Sequence, residues 1–280
     1  MGIYKIGDEP KLEMRRTALL AKLLNQYQPA LVALQEAPIP QVVRLLQNQG
    51  YSTEASGLDR RLVTGWKNTV WGSSLTSPID YSRALAVVLP LIAPSGRLQR
   101  VLVCNVHLPA LAPHGSKDKT IDNLKTLRRE IEGYRRTPGN EDVAEIILGD
   151  FNLEPHTPEI CSGNELAGNR SLPYVQKREV ERSKGDWYRP LYNPSWQLYG
   201  NTQPPHGTIY RTGGIDEPWY IFDQALFSGD LIEGIVEPKL IKKIGRISLL
   251  TTGVFMPDKA IGSDHLPLVW TLPINSAFMI

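Results

Sequence analysis

Glu145-Ile146-Ile147-Leu148-Gly149-Asp150-Phe151-Asn152 is the stretch on which the reading of this chain turns. Residues 144–148 have the composition of a short buried strand. Asp150 and Asn152 follow, two apart, so they alternate onto one side. Gly149 lets the backbone turn there, or come close to a ligand. A plain turn also uses Gly, Asp and Asn. An apolar strand that delivers Asp-x-Asn together is more specific than a turn requires.

Four other strand-like runs carry or border a polar or ionisable residue. Leu31-Val32-Ala33-Leu34-Gln35 is followed by Glu36. Strand ends are where α/β proteins assemble sites, though a lone glutamate there is more often just a surface residue. In Val101-Leu102-Val103-Cys104-Asn105-Val106-His107-Leu108, Asn105 and His107 share one face. Asp223 interrupts the apolar run Trp219-Tyr220-Ile221-Phe222-Asp223-Gln224-Ala225-Leu226-Phe227. A buried carboxylate there needs a partner. Asp264 and His265 stand together in Gly262-Ser263-Asp264-His265-Leu266-Pro267, and Asp223 is the carboxylate expected to orient the histidine.

Around these runs, helical spacing predicts helices over residues 10–28, 40–49 and 117–136. Gly50 and the pair Pro138-Gly139 terminate the last two. Strands are expected over 30–35, 69–75, 84–92, 100–108, 144–148, 219–227 and 266–272, with a Pro-Ser-Gly turn at 94–96 joining a hairpin. Residues 162–215 are rich in Gly, Pro and Asn and read as a long functional loop region. Helices and strands alternate early and hairpins dominate late. This is a mixed-sheet α/β protein. There is no internal repeat and no linker, so a single domain over 1–280 is expected.

Composition removes other classes. The chain has 280 residues, 41% hydrophobic and 21% charged, with two cysteines and a net charge of +2. It is too apolar for disorder and too poor in cysteine for a disulfide scaffold. Near-neutral charge argues against a coat-like nucleic-acid binder but allows a local basic cleft. No run reaches the roughly 20 apolar residues of a membrane span, and 1–11 hold no secretory h-region. A soluble, cytoplasmic protein is expected. Zinc spacing, a P-loop, G-x-S-x-G and GxGxxG after a strand are all missing. Glu36, Asp150, Asp264 and the amide of Asn152 are hard oxygen donors, suited to Mg²⁺ or Mn²⁺. Carboxylates, histidine and amide together point to metal-assisted hydrolysis of a phosphate ester.

The ordered series Leu-Gln-Glu36, Asn-Val-His107-Leu, Gly-Asp150-Phe-Asn152, Phe-Asp223-Gln and Gly-Ser-Asp264-His265-Leu-Pro resembles the endonuclease/exonuclease/phosphatase superfamily, the DNase I-like enzymes. The match runs from about residue 30 to the end. Residues 191–196, 207–210 and Trp219 resemble a bacterial branch of it. The resemblance implies a four-layer α/β sandwich, two packed mixed β-sheets flanked by helices, with the site at one end. It implies Glu36 as principal metal ligand, with Asp264, Asp150 and Asn152 helping to hold the metal. It casts Asp150 as the residue that orients or deprotonates water, Asn152 as a phosphate ligand, His265 as the catalytic histidine paired with Asp223, and His107 as a neighbour of the scissile phosphate.

One departure stands out. The superfamily begins with a buried strand ending in asparagine, and here only Met1 to Ile6 precede the first helix region. That strand and its asparagine are expected to be missing. The leading functional expectation is a Mg²⁺-dependent phosphodiesterase acting on DNA or RNA. Arg128, Arg129, Arg135, Arg136, Lys242, Lys243 and Arg246 are available basic groups. Trp187, Tyr188, Tyr192, Trp196, Tyr199 and Tyr210 are aromatics on which bases could stack. A phospholipid or inositol-phosphate hydrolase, and a degenerate or partner-activated module without catalysis, are the alternatives.

Overall fold

The computed structural model describes residues 9–57, 61–81, 83–92, 98–110, 117–163, 165–177, 181–183, 186–212, 218–253 and 255–272. Its centre is a seven-stranded mixed sheet. Across it run Thr76–Tyr81, Ala84–Ile92, Leu98–His107, Ala144–Asp150, Asp223–Ser228, Leu191–Tyr192 and Gly168–Asn169. Leu98–His107 and Ala144–Asp150 pair in parallel, joined through the helix Lys117–Arg135. Asp223–Ser228 returns antiparallel to Ala144–Asp150.

Period-2 alternation builds both faces of this sheet. Leu102, Cys104, Val106 and Ile147 face the helix layer, where Leu124, Leu127 and Ile131 of Lys117–Arg135 cover them. Val101, Val103, Ala144, Ile146 and Leu148 face the other way. There they meet Leu31, Ala33 and Trp66 of the antiparallel strands Leu31–Leu34 and Val63–Lys67, and Trp270 of Leu268–Thr271. On the far side of that layer, Leu24 of the helix Glu9–Tyr27 and Val42 and Leu46 of Ile39–Asn48 pack against Val32 and Val63. The order helix, sheet, sheets, helix is the expected four-layer α/β sandwich. The second β-layer differs in detail. Among the described residues it comprises a three-stranded sheet and a separate two-stranded ladder, Glu237–Leu240 with Leu268–Thr271, all antiparallel.

Three expectations are corrected. Residues 69–75 form no extended strand. The strands lie on either side, at Val63–Lys67 and Thr76–Tyr81, with only a single bridge from Trp71 to Leu91. The run over 219–227 is broken at Ile221 and Phe222, so Asp223 opens a strand instead of interrupting one. Arg128 and Arg135 are not surface cations. Both are buried, and both pair with Glu145, which strand alternation turns toward the helix. Glu132 closes the network at 2.5 Å from Arg128 and 3.5 Å from Arg135. Helical arginines so buried and paired cannot serve a nucleic-acid face. The expected missing strand at 1–6 and the turn at 94–96 lie outside the described residues.

Candidate active site

Strand register sets the site. His107 is the Cα partner of Asp150 in the parallel pair, and Asp223 is the partner of Asp150 in the antiparallel pair. Three ionisable residues therefore stand level on three adjacent strands. Thr208 Oγ1 accepts from the Phe222 and Asp223 amides. A bridge from Ile209 brings His265 beside them. The Asp223 carboxylate accepts a hydrogen bond from His265 Nδ1 at 2.7 Å.

Asp150 is the hub. Its Oδ1 accepts from the Asn152 amide at 2.8 Å, and its Oδ2 from Asn152 Nδ2 at 3.1 Å. His107 Nε2 lies 3.7 Å and His265 Nε2 4.0 Å from the same Oδ2. Burial and the Asp223 charge push Asp150 up to about 7, against the pull of His265 and the Asn152 amide. Burial opposes a charge on His265, but Asp223, Asp150 and Asp264 outweigh it and raise its pKa to about 9. Burial lowers His107, against the raising effect of Glu36, and Arg83 and His265 lower it further. Near neutral pH this combination gives a carboxylate on the edge of ionisation, a charged histidine and a neutral one.

Glu36 reaches the site from the second β-layer. Its Oε1 is 3.9 Å from His107 Nε2, and its side chain is 73% exposed. The approach is fixed by Asn105, which is fully buried and joins the layers. Asn105 Oδ1 accepts from Gln35, and its Nδ2 donates to the Val63 carbonyl. Asn105 is thus a brace, although it shares a strand face with His107. Glu36 and Asn152 both hold left-handed backbone, at φ of +52° and +49°. Strain of this kind in non-glycine residues concentrates at functional sites.

Glu36, His107, Asp150, Asn152, Asp264 and His265 line one cavity of about 630 Å³. Asp223 stands behind His265. All seven residues singled out in the sequence are therefore gathered in one place. Asp264 Oδ2 is 3.2 Å from Lys259 Nζ, which with His265 holds its carboxyl below the usual range against the effect of burial. Asn152 Oδ1 accepts from Arg211 Nη2 at 3.2 Å. Among the described residues, no group of three or more His, Cys, Asp or Glu is drawn together tightly enough to hold a metal ion. The oxygen donors still suit Mg²⁺, which keeps several waters and uses one or two carboxylates with substrate phosphate oxygens. Glu36 is the exposed carboxylate in position for that role.

No protein-family model matches the chain, and no curated protein matches it. Solved structures do. The human Nocturnin catalytic domain with bound sulfate aligns over 92% of this chain and 87% of that one, at 17% identity and a TM-score of 0.54. D. rerio TDP2 complexed with single-strand DNA product aligns over 91% and 90%, at 18% identity and 0.53. An endonuclease/exonuclease/phosphatase family protein from Bacteroides thetaiotaomicron aligns over 94% and 91%, at 11% identity and 0.56. The chain has the endonuclease/exonuclease/phosphatase fold.

On this endonuclease/exonuclease/phosphatase scaffold the cavity includes charged residues that the strand-end pattern passes over: Arg83, Arg211 and Lys259. None stands at the end of an apolar strand run. Arg211 directly follows the Gly207-Thr208-Ile209-Tyr210 stretch, which was the available signal for it. Of the loop aromatics, Tyr210 lines the cavity and Tyr192 is buried in the core. Trp196 and Tyr199 form a separate cluster with His156. The side chains of Trp187 and Tyr188 lie outside the described residues.

Proposed function

We propose that the chain is a Mg²⁺-dependent phosphoesterase that cleaves phosphodiesters in DNA or RNA. The observation that carries this reading is the Asp150 carboxylate, buried at the cavity wall between two histidines, with Asp223 behind one of them. Asp150 is the general base: at about pH 7 it is poised to take a proton from water and has the reach to do so. The water oxygen bonds to phosphorus as the ester P–O bond breaks, and the leaving oxygen recovers a proton from cavity water. His265, kept charged by Asp223, donates from Nε2 to a phosphoryl oxygen and offsets the negative charge that grows there. Asn152 holds Asp150 in place, and His107 flanks the phosphate on its other side. A magnesium ion, with Glu36 as its protein ligand and Asp264, Asp150 and Asn152 nearby, would polarise the phosphate.

The substrate class is supported by the likeness to a TDP2 complexed with single-strand DNA product. One catalytic unit over 1–280 is supported by alignments that cover more than nine-tenths of the chain. A cytoplasmic location accords with two free cysteines. The test is hydrolysis of plasmid, single-stranded DNA, RNA, a sphingomyelin-type lipid and inositol phosphates, with and without Mg²⁺. Nucleic-acid cleavage that a chelator stops, and that Asp150→Ala reduces by about 10²–10⁴-fold, is expected. Cleavage indifferent to both treatments would falsify the mechanism, and cleavage of the lipid or inositol phosphates alone would replace the substrate.

A further inference from the structure

We propose that Arg83 and Arg211 form a clamp that binds the phosphate of the substrate, with Arg211 on the reacting group. The inference rests on the phosphoesterase reading and adds the residues that recognise the anion. Both side chains line the cavity, and both residues are half-buried. Among the described residues neither guanidinium has a carboxylate within ion-pair distance, whereas Lys259 in the same wall is already paired with Asp264. Two half-buried arginines with no ion-pair partner among the described residues leave their charges open to an anion that enters the cavity.

Their placement about Asp150 is specific. Arg211 is one residue removed from it through Asn152, whose Oδ1 accepts from Nη2. Arg83 is one residue removed through His107, whose amide donates to the Arg83 carbonyl at 3.0 Å and whose imidazole feels the Arg83 charge. The Arg211 guanidinium carbon lies 4.7 Å from the Phe222 ring centroid and 6.0 Å from that of Tyr220. Cation–π attraction to these rings anchors the guanidinium beside the cavity. A guanidinium has five N–H donors, and the bond to Asn152 uses one. The remaining fork matches two oxygens of one phosphate, a geometry an ammonium lacks.

Calorimetric titration of the full chain with inorganic phosphate tests the clamp, using Arg211→Ala, Arg211→Lys, Arg83→Ala and, as control, Arg44→Ala on the exposed side of the helix Ile39–Asn48. Phosphate affinity should fall at least about tenfold in Arg211→Ala and in Arg83→Ala. Arg211→Lys should recover part of it, and Arg44→Ala should match the wild type. Wild-type protein that shows no saturable phosphate binding would overturn the clamp. So would folded Arg211→Lys and Arg83→Ala proteins that both bind phosphate within twofold of wild type. The two readings fail separately. Phosphate binding that needs both arginines, in a protein that cleaves no ester, keeps the clamp and removes the phosphoesterase. Asp150-dependent cleavage with arginine-independent phosphate binding does the reverse.

Discussion

At the scale of single residues, the proposed reaction reduces to the opposed protonation of Asp150 and His265. The base must be ionised, so the rate should rise with pH through about 7, where burial and Asp223 have moved Asp150. His265 must keep its proton to stabilise the phosphoryl charge, so the rate should fall above about 9, where Asp223 and its neighbours have moved His265. The profile of kcat/KM is expected to be a bell with its top near pH 8, and the two limbs belong to the coupled pair. Asp223→Asn keeps the shape of the site but removes the charge 2.7 Å from His265 Nδ1. The alkaline limb should then move to lower pH, and kcat should drop by about 10²–10⁴-fold, as when a histidine loses its orienting carboxylate. A flat profile between pH 6 and 10, or an alkaline limb unmoved by Asp223→Asn, would remove His265 from this role. The seven candidate residues were legible because each lies in or beside an apolar run, where a polar side chain needs a reason. Arg83, Arg211 and Lys259 were not. A cation in a polar loop looks the same whether it faces a cavity or water, and only the tertiary partners Asn152, His107 and Asp264 distinguish them.

At the scale of elements, Gly149 decides how the strand Ala144–Asp150 sits. The sequence reading allowed it a turn or a ligand; the structure gives it a neighbouring strand. Its φ is +139°, and a Cβ there would collide with the Val106 carbonyl, across the parallel pairing that sets His107 level with Asp150. The obstacle is backbone, which cannot swing aside. Gly149→Ala should cost roughly 3 kcal/mol or more through overpacking and the disfavoured backbone. That corresponds to a fall in Tm of several degrees for a chain of this size. Gly50→Ala is the comparison. Gly50 ends the helix Ile39–Asn48 at φ +80° with nothing within 4 Å of a Cβ, so only the left-handed cost of about 1 kcal/mol applies. Equal melting shifts for the two variants would show that the Val106 contact is unimportant. Strands and helices with regular alternation were legible to within a few residues. The failures at 69–75 and 221–222 have one cause: β-branched and aromatic residues such as Val70, Trp71 and Phe222 also serve where a chain leaves a sheet to pack into a core. Trp71 is buried in this way with a single bridge.

At the scale of the whole molecule, the question is how the net charge of +2 can serve the proposed polyanionic substrate. The helix Lys117–Arg135 offered a basic stripe on paper, yet Arg128 and Arg135 are spent on Glu145 and Glu132 inside the protein. That network secures the helix layer to the central strand, and breaking it would leave charges buried without partners. Lys242, Lys243 and Arg246 are exposed but do not line the cavity. The cations positioned for phosphate are then Arg83, Arg211 and, in part, Lys259. Each phosphate neutralised releases counterions, so two or three contacts to duplex DNA predict a slope of log K against log salt of about −2 to −3. Arg129→Ala and Arg136→Ala should leave both slope and affinity unchanged, while Arg211→Ala should make the slope shallower by about one. A steeper slope, near −6, would mean that a broad basic face binds the strand. Binding would then be spread over the surface, and the cavity would act only on whatever that surface delivers. A shallow slope instead makes the cavity itself the recognition site, so that selectivity and catalysis depend on the same few residues around Asp150.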